Sequence, residues 1–397
     1  MNDSLKTIKV LASEFFPEVV SIRRHLHRNP ELSGEEFQTA AYICRKLDEY
    51  GIPYRKEIAG TGILASLSGK DPGSRCIALR ADMDALPIRE ENETEYRSAS
   101  EGKMHACGHD VHMACLLGAA KILMQLRDRF KGTVKLIFQP SEETCPGGAI
   151  RMIQEGILKD PSPSAVIGQH VINTMEAGKI GLKGGLYMAS ADEIYLTVKG
   201  KGGHAATPEQ LIDPVLIASH IILAVQQIVS RNANPSMPTV VSFGKISGEG
   251  RTNVIPDEVK LEGTVRTYSE NWRRAIHEKI TRLATSLAES MGGSCEVRIA
   301  EGYPVLENDP GLTGKIRQWA AEYLGENNVM ELEARMTSED FSYYALEVPS
   351  CLYRLGIRNE AKGIRSSLHT PTFDVDESSL ATGSGFMAYA ALSMLNG

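Results

Sequence analysis

Glu193-Ile194-Tyr195-Leu196-Thr197-Val198 alternates polar and apolar residues, the period-two pattern of a strand with one face in a core and the other in water. Working outward, an amphipathic helix pattern covers about 213–229, strand patterns follow at 239–245 and 258–267, a second helix covers about 271–290, and a last strand covers about 294–300. The order β-α-β-β-α-β predicts a ferredoxin-like unit. It is complete in itself and accounts for residues 187–300.

On either side the style differs. Short apolar runs at 62–67, 76–81, 134–138 and 165–167 alternate with helix patterns at 14–28, 35–50 and 111–126. After residue 301 the same style returns, with helices near 310–324 and 378–395 and a strand at 351–355. Strands alternating with helices predict a mixed or largely parallel sheet with helices on both faces. The fold class expected is α/β with two domains. Residues 1–186 and 301–397 form one, and the α+β unit at 187–300 is inserted into it.

The bulk properties restrict function. The chain has 397 residues, 42% hydrophobic and 23% charged, with a formal net charge of −7. That is a globular composition without the excess of positive charge that nucleic-acid binding requires. No run approaches about 18 apolar residues, so no membrane partner is expected. The first residues lack a basic segment followed by an apolar one, which argues against a signal peptide. Seven scattered cysteines then read as reduced thiols in a cytoplasmic setting.

Four short segments carry metal-ligand chemistry. In Met104-His105-Ala106-Cys107-Gly108-His109-Asp110, Cys107 and His109 are two apart and cannot share a helix face. They are expected on a turn, with Asp110 as N-cap of the helix that follows. In Gln139-Pro140-Ser141-Glu142-Glu143, after an apolar strand, one glutamate can bind a metal while its neighbour faces a water. Gly168-Gln169-His170 and Leu368-His369-Thr370-Pro371 each offer a histidine at an expected turn. Alone, each feature has an ordinary reading: a glutamate pair is usually a solvated face, and Cys107 could be a small buried hydrophobe. Together they supply Cys107, His109, Glu143, His170 and His369 as ligands and leave Glu142 as base. Thiolate and imidazole suit zinc, and manganese, nickel or cobalt are also admitted.

Longer motifs give a family resemblance. The chain resembles the M20 metallopeptidase family, in its amidohydrolase branch of hippurate hydrolases, auxin-conjugate hydrolases and N-acetyl-diaminopimelate deacetylases. The resemblance lies in Arg23-Arg24-His25-Leu26-His27, Leu79-Arg80-Ala81-Asp82-Met83-Asp84-Ala85-Leu86-Pro87 and the segments around Cys107 and Glu142. It continues in Gly200-Lys201-Gly202-Gly203-His204-Ala205-Ala206, Asn253-Val254-Ile255-Pro256 and Ser338-Glu339-Asp340-Phe341.

The resemblance implies two divalent ions per subunit, bridged by Cys107. It implies that Glu142 acts as base and then proton donor, on a small N-acyl amino acid substrate. It also implies that the inserted domain is a lid and homodimer interface. His204 would then reach the substrate of the other subunit, and Asn253 would line that side. Where wider relatives carry a histidine ligand, this chain has Arg80, which cannot ligate. Asp82 is therefore expected to support the ligands rather than join them. Three alternatives remain. One is a dipeptidase or aminopeptidase with the same centre. Another is a thiol hydrolase using Cys107 and His109, and the third is an inactive ligand-binding homologue.

Overall fold

The computed structural model describes residues 2–396. Two compact units are present: Met1–Gly185 with Glu307–Glu333 and Asp340–Gly397, and Leu186–Leu306 with Ala334–Glu339.

The first unit is built on an eight-stranded mixed sheet. Its order is Tyr54–Ile58, Gly62–Ser68, Thr133–Gln139, Cys76–Asp82, Val166–Glu176, Ser350–Arg358, Ile180–Leu182 and Val329–Glu331. The central neighbours, from Thr133–Gln139 across to Ser350–Arg358, run parallel. The first two strands break the parallel pattern. Tyr54–Ile58 returns through a tight turn into Gly62–Ser68, which lies antiparallel to Thr133–Gln139.

Alternation along Cys76–Asp82 assigns its two faces. Ile77, Leu79 and Ala81 join the main apolar core, where the helices Asn2–Arg28, His109–Gln125 and Ser379–Asn396 pack together. Arg80 points the other way, over the Phe341 ring, beside the short helix Ser342–Glu347. Helix His109–Gln125 is buried over nearly its whole length. Each fully buried Val or Leu in such a position contributes roughly 1.5–3 kcal/mol.

The second unit has a four-stranded antiparallel sheet ordered Thr239–Ser247, Glu258–Thr267, Ser190–Lys199, Ser294–Glu301. This strand order, with helices Pro214–Gln227 and Glu270–Ser290 joining the strands, is ferredoxin-like. Ile194, Leu196 and Val198 enter its core with Ile217, Ile221, Ile276 and Ile280. The stretch Pro214–Asn232 is long and apolar enough to cross a membrane by length and composition. Its Ile217, Ala218, Ile221 and Val225 are instead buried in this core.

One buried residue of Ser190–Lys199 is a carboxylate. Asp192 accepts from Arg273 Nε at 2.9 Å, His277 Nε2 at 2.7 Å and the Gly302 amide at 3.1 Å. Burial alone would raise its pKa, but His277 and Arg273 hold it down to about 2. A carboxyl depressed on folding stabilises fully above its unfolded pKa, and that contribution is lost as pH falls through the folded value. Acid denaturation should therefore show this loss between about pH 4 and 2, and Asp192→Asn should abolish it. At neutral pH the same substitution should cost about 3 kcal/mol in denaturant melts, since Arg273 loses its main partner.

Candidate metal centre

The parallel strands deliver the site residues. Cys76–Asp82 ends on Asp82, with Asp84 just beyond, and Thr133–Gln139 is followed by Glu142 and Glu143. Ser350–Arg358 leads to the loop that carries His369. His170 lies inside the strand Val166–Glu176, not at a turn after it. Polar Gln169 and His170 interrupt the apolar run but each makes a bond inside it: Gln169 Oε1 accepts from Tyr353 Oη at 2.9 Å, and His170 Nδ1 meets the Val171 carbonyl at 2.8 Å.

The turn at Cys107 also differs from expectation. His109 is the first residue of its helix, and Gly108, at φ 84°, is the N-cap. Asp110 is not the cap. It is buried in the first turn, where it accepts from Arg23 Nε at 2.9 Å and faces His27 Nδ1 at 2.8 Å, tying helix Asn2–Arg28 to this point. Gly108 is required twice over. Its φ is left-handed, and a Cβ there would fall 2.5 Å from Val171 Cγ2.

The expected ligands converge. Cys107 Sγ is 3.6 Å from His170 Nε2 and 3.3 Å from His369 Nε2. Glu143 Oε1 is 3.5 Å from His369 Nε2 and 3.8 Å from His109 Nε2. Glu142 Oε2 lies 4.0 Å from the same His109 nitrogen. Bond lengths of about 2.0–2.3 Å place donor atoms around one tetrahedral divalent ion roughly 3.3–3.7 Å apart. Cys107 belongs to two such groups, one with His109 and His170 and one with Glu143 and His369. His109 Nε2 and Glu143 Oε1 are buried without a hydrogen-bond partner. Unpaired polar atoms of this kind are costly unless something else satisfies them.

Carboxylates dominate the electrostatics. Burial opposes charge on His109, yet Asp82, Asp84 and Glu143 raise its pKa to about 10. Burial keeps His170 neutral, with Arg354 and His112 adding to the effect. Burial, Glu143 and Glu142 push the Cys107 thiol well up. That is the reverse of what activates a nucleophilic thiol, and it weighs against the thiol-hydrolase alternative. Asp82 is buried too, but Arg80, His109 and His112 hold its carboxyl well below the usual range. Arg80 donates to Asp82 at 2.6 Å and to Asp340 at 2.8 Å.

Asp84 was not singled out by sequence reasoning. Its Oδ1 lies 3.3 Å from His109 Nδ1. Its Oδ2 accepts from Ser33 Oγ at 2.6 Å and from the Glu143 amide at 2.9 Å. One carboxylate thus holds a histidine by its far nitrogen and a glutamate by its backbone. The available signal was a second aspartate two residues past Asp82.

His204 and Asn253 lie in the second unit. There Gly203–His204 pairs with Val254–Ile255, and the Ala205 amide donates to the Asn253 carbonyl at 3.0 Å. The unit brings these two residues together on one ribbon.

Residues 78–393 match the peptidase family M20/M25/M40. The chain belongs to this family. It is 39% identical to the N-acetyl-L-cysteine deacetylase of Bacillus subtilis, over 96% of this chain and 88% of that protein. It is 43% identical to an N-acyl-L-amino acid amidohydrolase of Geobacillus stearothermophilus, over 77% of this chain and 82% of that one. Among solved structures it is similar to the Bacillus subtilis YXEP protein, a dinuclear metal binding peptidase of the M20 family, with TM-score 0.83 and 34% identity. That match covers 97% of this chain and 99% of YXEP.

Asp84→Asn should lower affinity for divalent cations about 10–100-fold, as expected when the partner of a ligating histidine is weakened. Competition with a chromophoric chelator measures it.

Proposed function

We propose that this chain is a metal-dependent amidohydrolase that cleaves the amide bond of N-acyl amino acids. The reading is carried above all by the Cys107 sulfur standing between His170 and His369, beside the unpartnered His109 Nε2 and Glu143 Oε1. The named activities of the deacetylase and amidohydrolase relatives support the substrate class.

Cys107, His109, Glu143, His170 and His369 would hold two divalent ions, with Cys107 shared. Zinc fits the sulfur and imidazole donors first, and manganese, nickel or cobalt fit the carboxylate. Bound there, the ions would polarise the substrate carbonyl and make a water easier to deprotonate. Glu142 takes the proton as the water oxygen attacks the carbonyl carbon. It then returns the proton to the amine nitrogen as the C–N bond breaks, leaving a carboxylic acid and a free amino acid. Glu142 is only 6% exposed, so its proton is shielded from bulk water. Glu142→Gln should keep both ions and lose nearly all turnover of N-acetyl amino acids. Substantial activity in the metal-loaded variant would sink the assignment.

The inserted unit serves as lid and homodimer interface in this reading, and the protein works in the cytoplasm. His204 of one subunit donates to the developing oxyanion in the other, with Asn253 on the same side. The His204 side chain is exposed, and its Nδ1 accepts from the Ala206 amide at 3.0 Å, which leaves an Nε2–H to donate. Mixed dimers of His204→Ala and Glu142→Ala should regain part of the activity that each homodimer lacks. Heterodimers verified by mass and still inactive would exclude action in trans.

A further inference from the structure

Helix His109–Gln125 carries a second histidine one turn after His109, on the same side of the helix. The His112 ring is fully buried. With Asp82 and His109 it has the spacing of a metal-ligand group. Its hydrogen bonds rule that role out. Nε2 lies 2.9 Å from the Val171 amide nitrogen, and Nδ1 lies 2.5 Å from Asp82 Oδ1. An amide N–H only donates, so Nε2 must be bare and accepting. The ring proton therefore sits on Nδ1, facing the carboxylate. Neither nitrogen has a lone pair left for an ion.

The backbone explains why a side chain is needed there. Strand Cys76–Asp82 pairs with Val166–Glu176 only as far as Arg80 opposite Gly168. Beyond that pair the two strands part, although Cys76–Asp82 itself runs on to Asp82, and the Val171 N–H is not taken up by its ladder. A buried, unpaired amide costs about 1–3 kcal/mol. His112 supplies the missing acceptor. The carbonyl of the same Val171 receives the Nδ1–H of His170, which turns His170 Nε2 toward Cys107. Asp82, which fixes the His112 tautomer, is itself held by Arg80. The helix that carries His109, the strand that ends on Asp82 and the strand that carries His170 thus meet at one imidazole.

We infer that His112 is a positioning residue of the metal centre: it stands in for a β-ladder partner at Val171 and so fixes the ring of His170. The inference rests on the dinuclear reading above. It predicts a selective effect, because an ion that takes His170 as a donor depends on this bond and the other ion does not.

The test is a chelator-competition titration of wild-type protein, His112→Gln and His112→Asn, with thermal melts of each metal-free protein alongside. Glutamine can place its amide oxygen near the former Nε2 and still accept from Val171. Asparagine reaches only as far as Nδ1 and can satisfy Asp82 alone. The expected result is two tight ions in wild type and in His112→Gln. In His112→Asn one ion should be weakened about 10–100-fold and the other unchanged. Equal weakening of both ions in step with the melting temperature would overturn the inference, as would identical behaviour of the two variants or failure of both to fold. A wild type that binds fewer than two ions would instead overturn the dinuclear reading, and the inference with it.

Discussion

Parallel pairing of the four central strands is the constraint on which the rest of the molecule depends. Parallel neighbours bring their carboxyl ends to the same edge, and open α/β sheets build their sites there. Asp82 pairs with Gln139 in the last rung of one ladder, so Asp84 and the Glu142–Glu143 pair emerge side by side. Arg354 pairs with His170 in another, so the chain that leaves this strand can return His369 to Cys107. Candidate donors from residues as distant as 107 and 369 meet because strand register places them, not because any local segment does.

That edge gathers charge in a dry place. Asp82, Asp84, Glu142, His109 and His170 are all below a tenth exposed. Burying ionised groups is costly unless they are paired. Two kinds of pairing divide the site. Asp82 is neutralised by Arg80 and Asp110 by Arg23, within the protein. Glu143 and Asp84 have no arginine of their own among their described contacts and face His109 instead. The pull of these carboxylates on His109 falls at the same place the donor spacing marks.

Much of this was legible beforehand, for identifiable reasons. The ferredoxin-like unit was readable because its strands have one wet face, so alternation survives in the sequence, as at Ile194, Leu196 and Val198. Cys107, His109, Glu143, His170 and His369 stood out as a candidate set because Cys, His and Glu beside expected turns are uncommon together. The errors came where tertiary partners override local pattern. The strand reading at 165–167 stops early because Gln169 and His170 look like the end of a strand, yet inside it Tyr353 bonds the Gln169 Oε1 and the Val171 carbonyl meets His170 Nδ1. Asp110 read as a cap because a cap is the common local use of such an aspartate. Its real partners, Arg23 and His27, lie more than eighty residues away. Asp84 is hard to assign from sequence because a second aspartate past Asp82 is the only signal and does not announce His109 or the Glu143 amide.

The same contrast separates side chains with a donor to spare from those without one. His109, His112 and His170 are all buried and within a few ångströms of one another, with His112 and His170 ring centroids 4.7 Å apart. Residue type and spacing do not distinguish them. What distinguishes them is how many ring nitrogens the protein has already engaged. His170 gives Nδ1 to a carbonyl, and His109 points Nδ1 at Asp84 Oδ1 3.3 Å away, so each has an Nε2 to spare. His112 has none, since a backbone amide occupies its second nitrogen. An imidazole engaged once is a potential ligand with a fixed tautomer. An imidazole engaged twice is part of the frame. By that count the first turn of helix His109–Gln125 divides its own side chains: His109 keeps a donor to spare, Asp110 goes to Arg23, and His112 goes to the strand that carries His170.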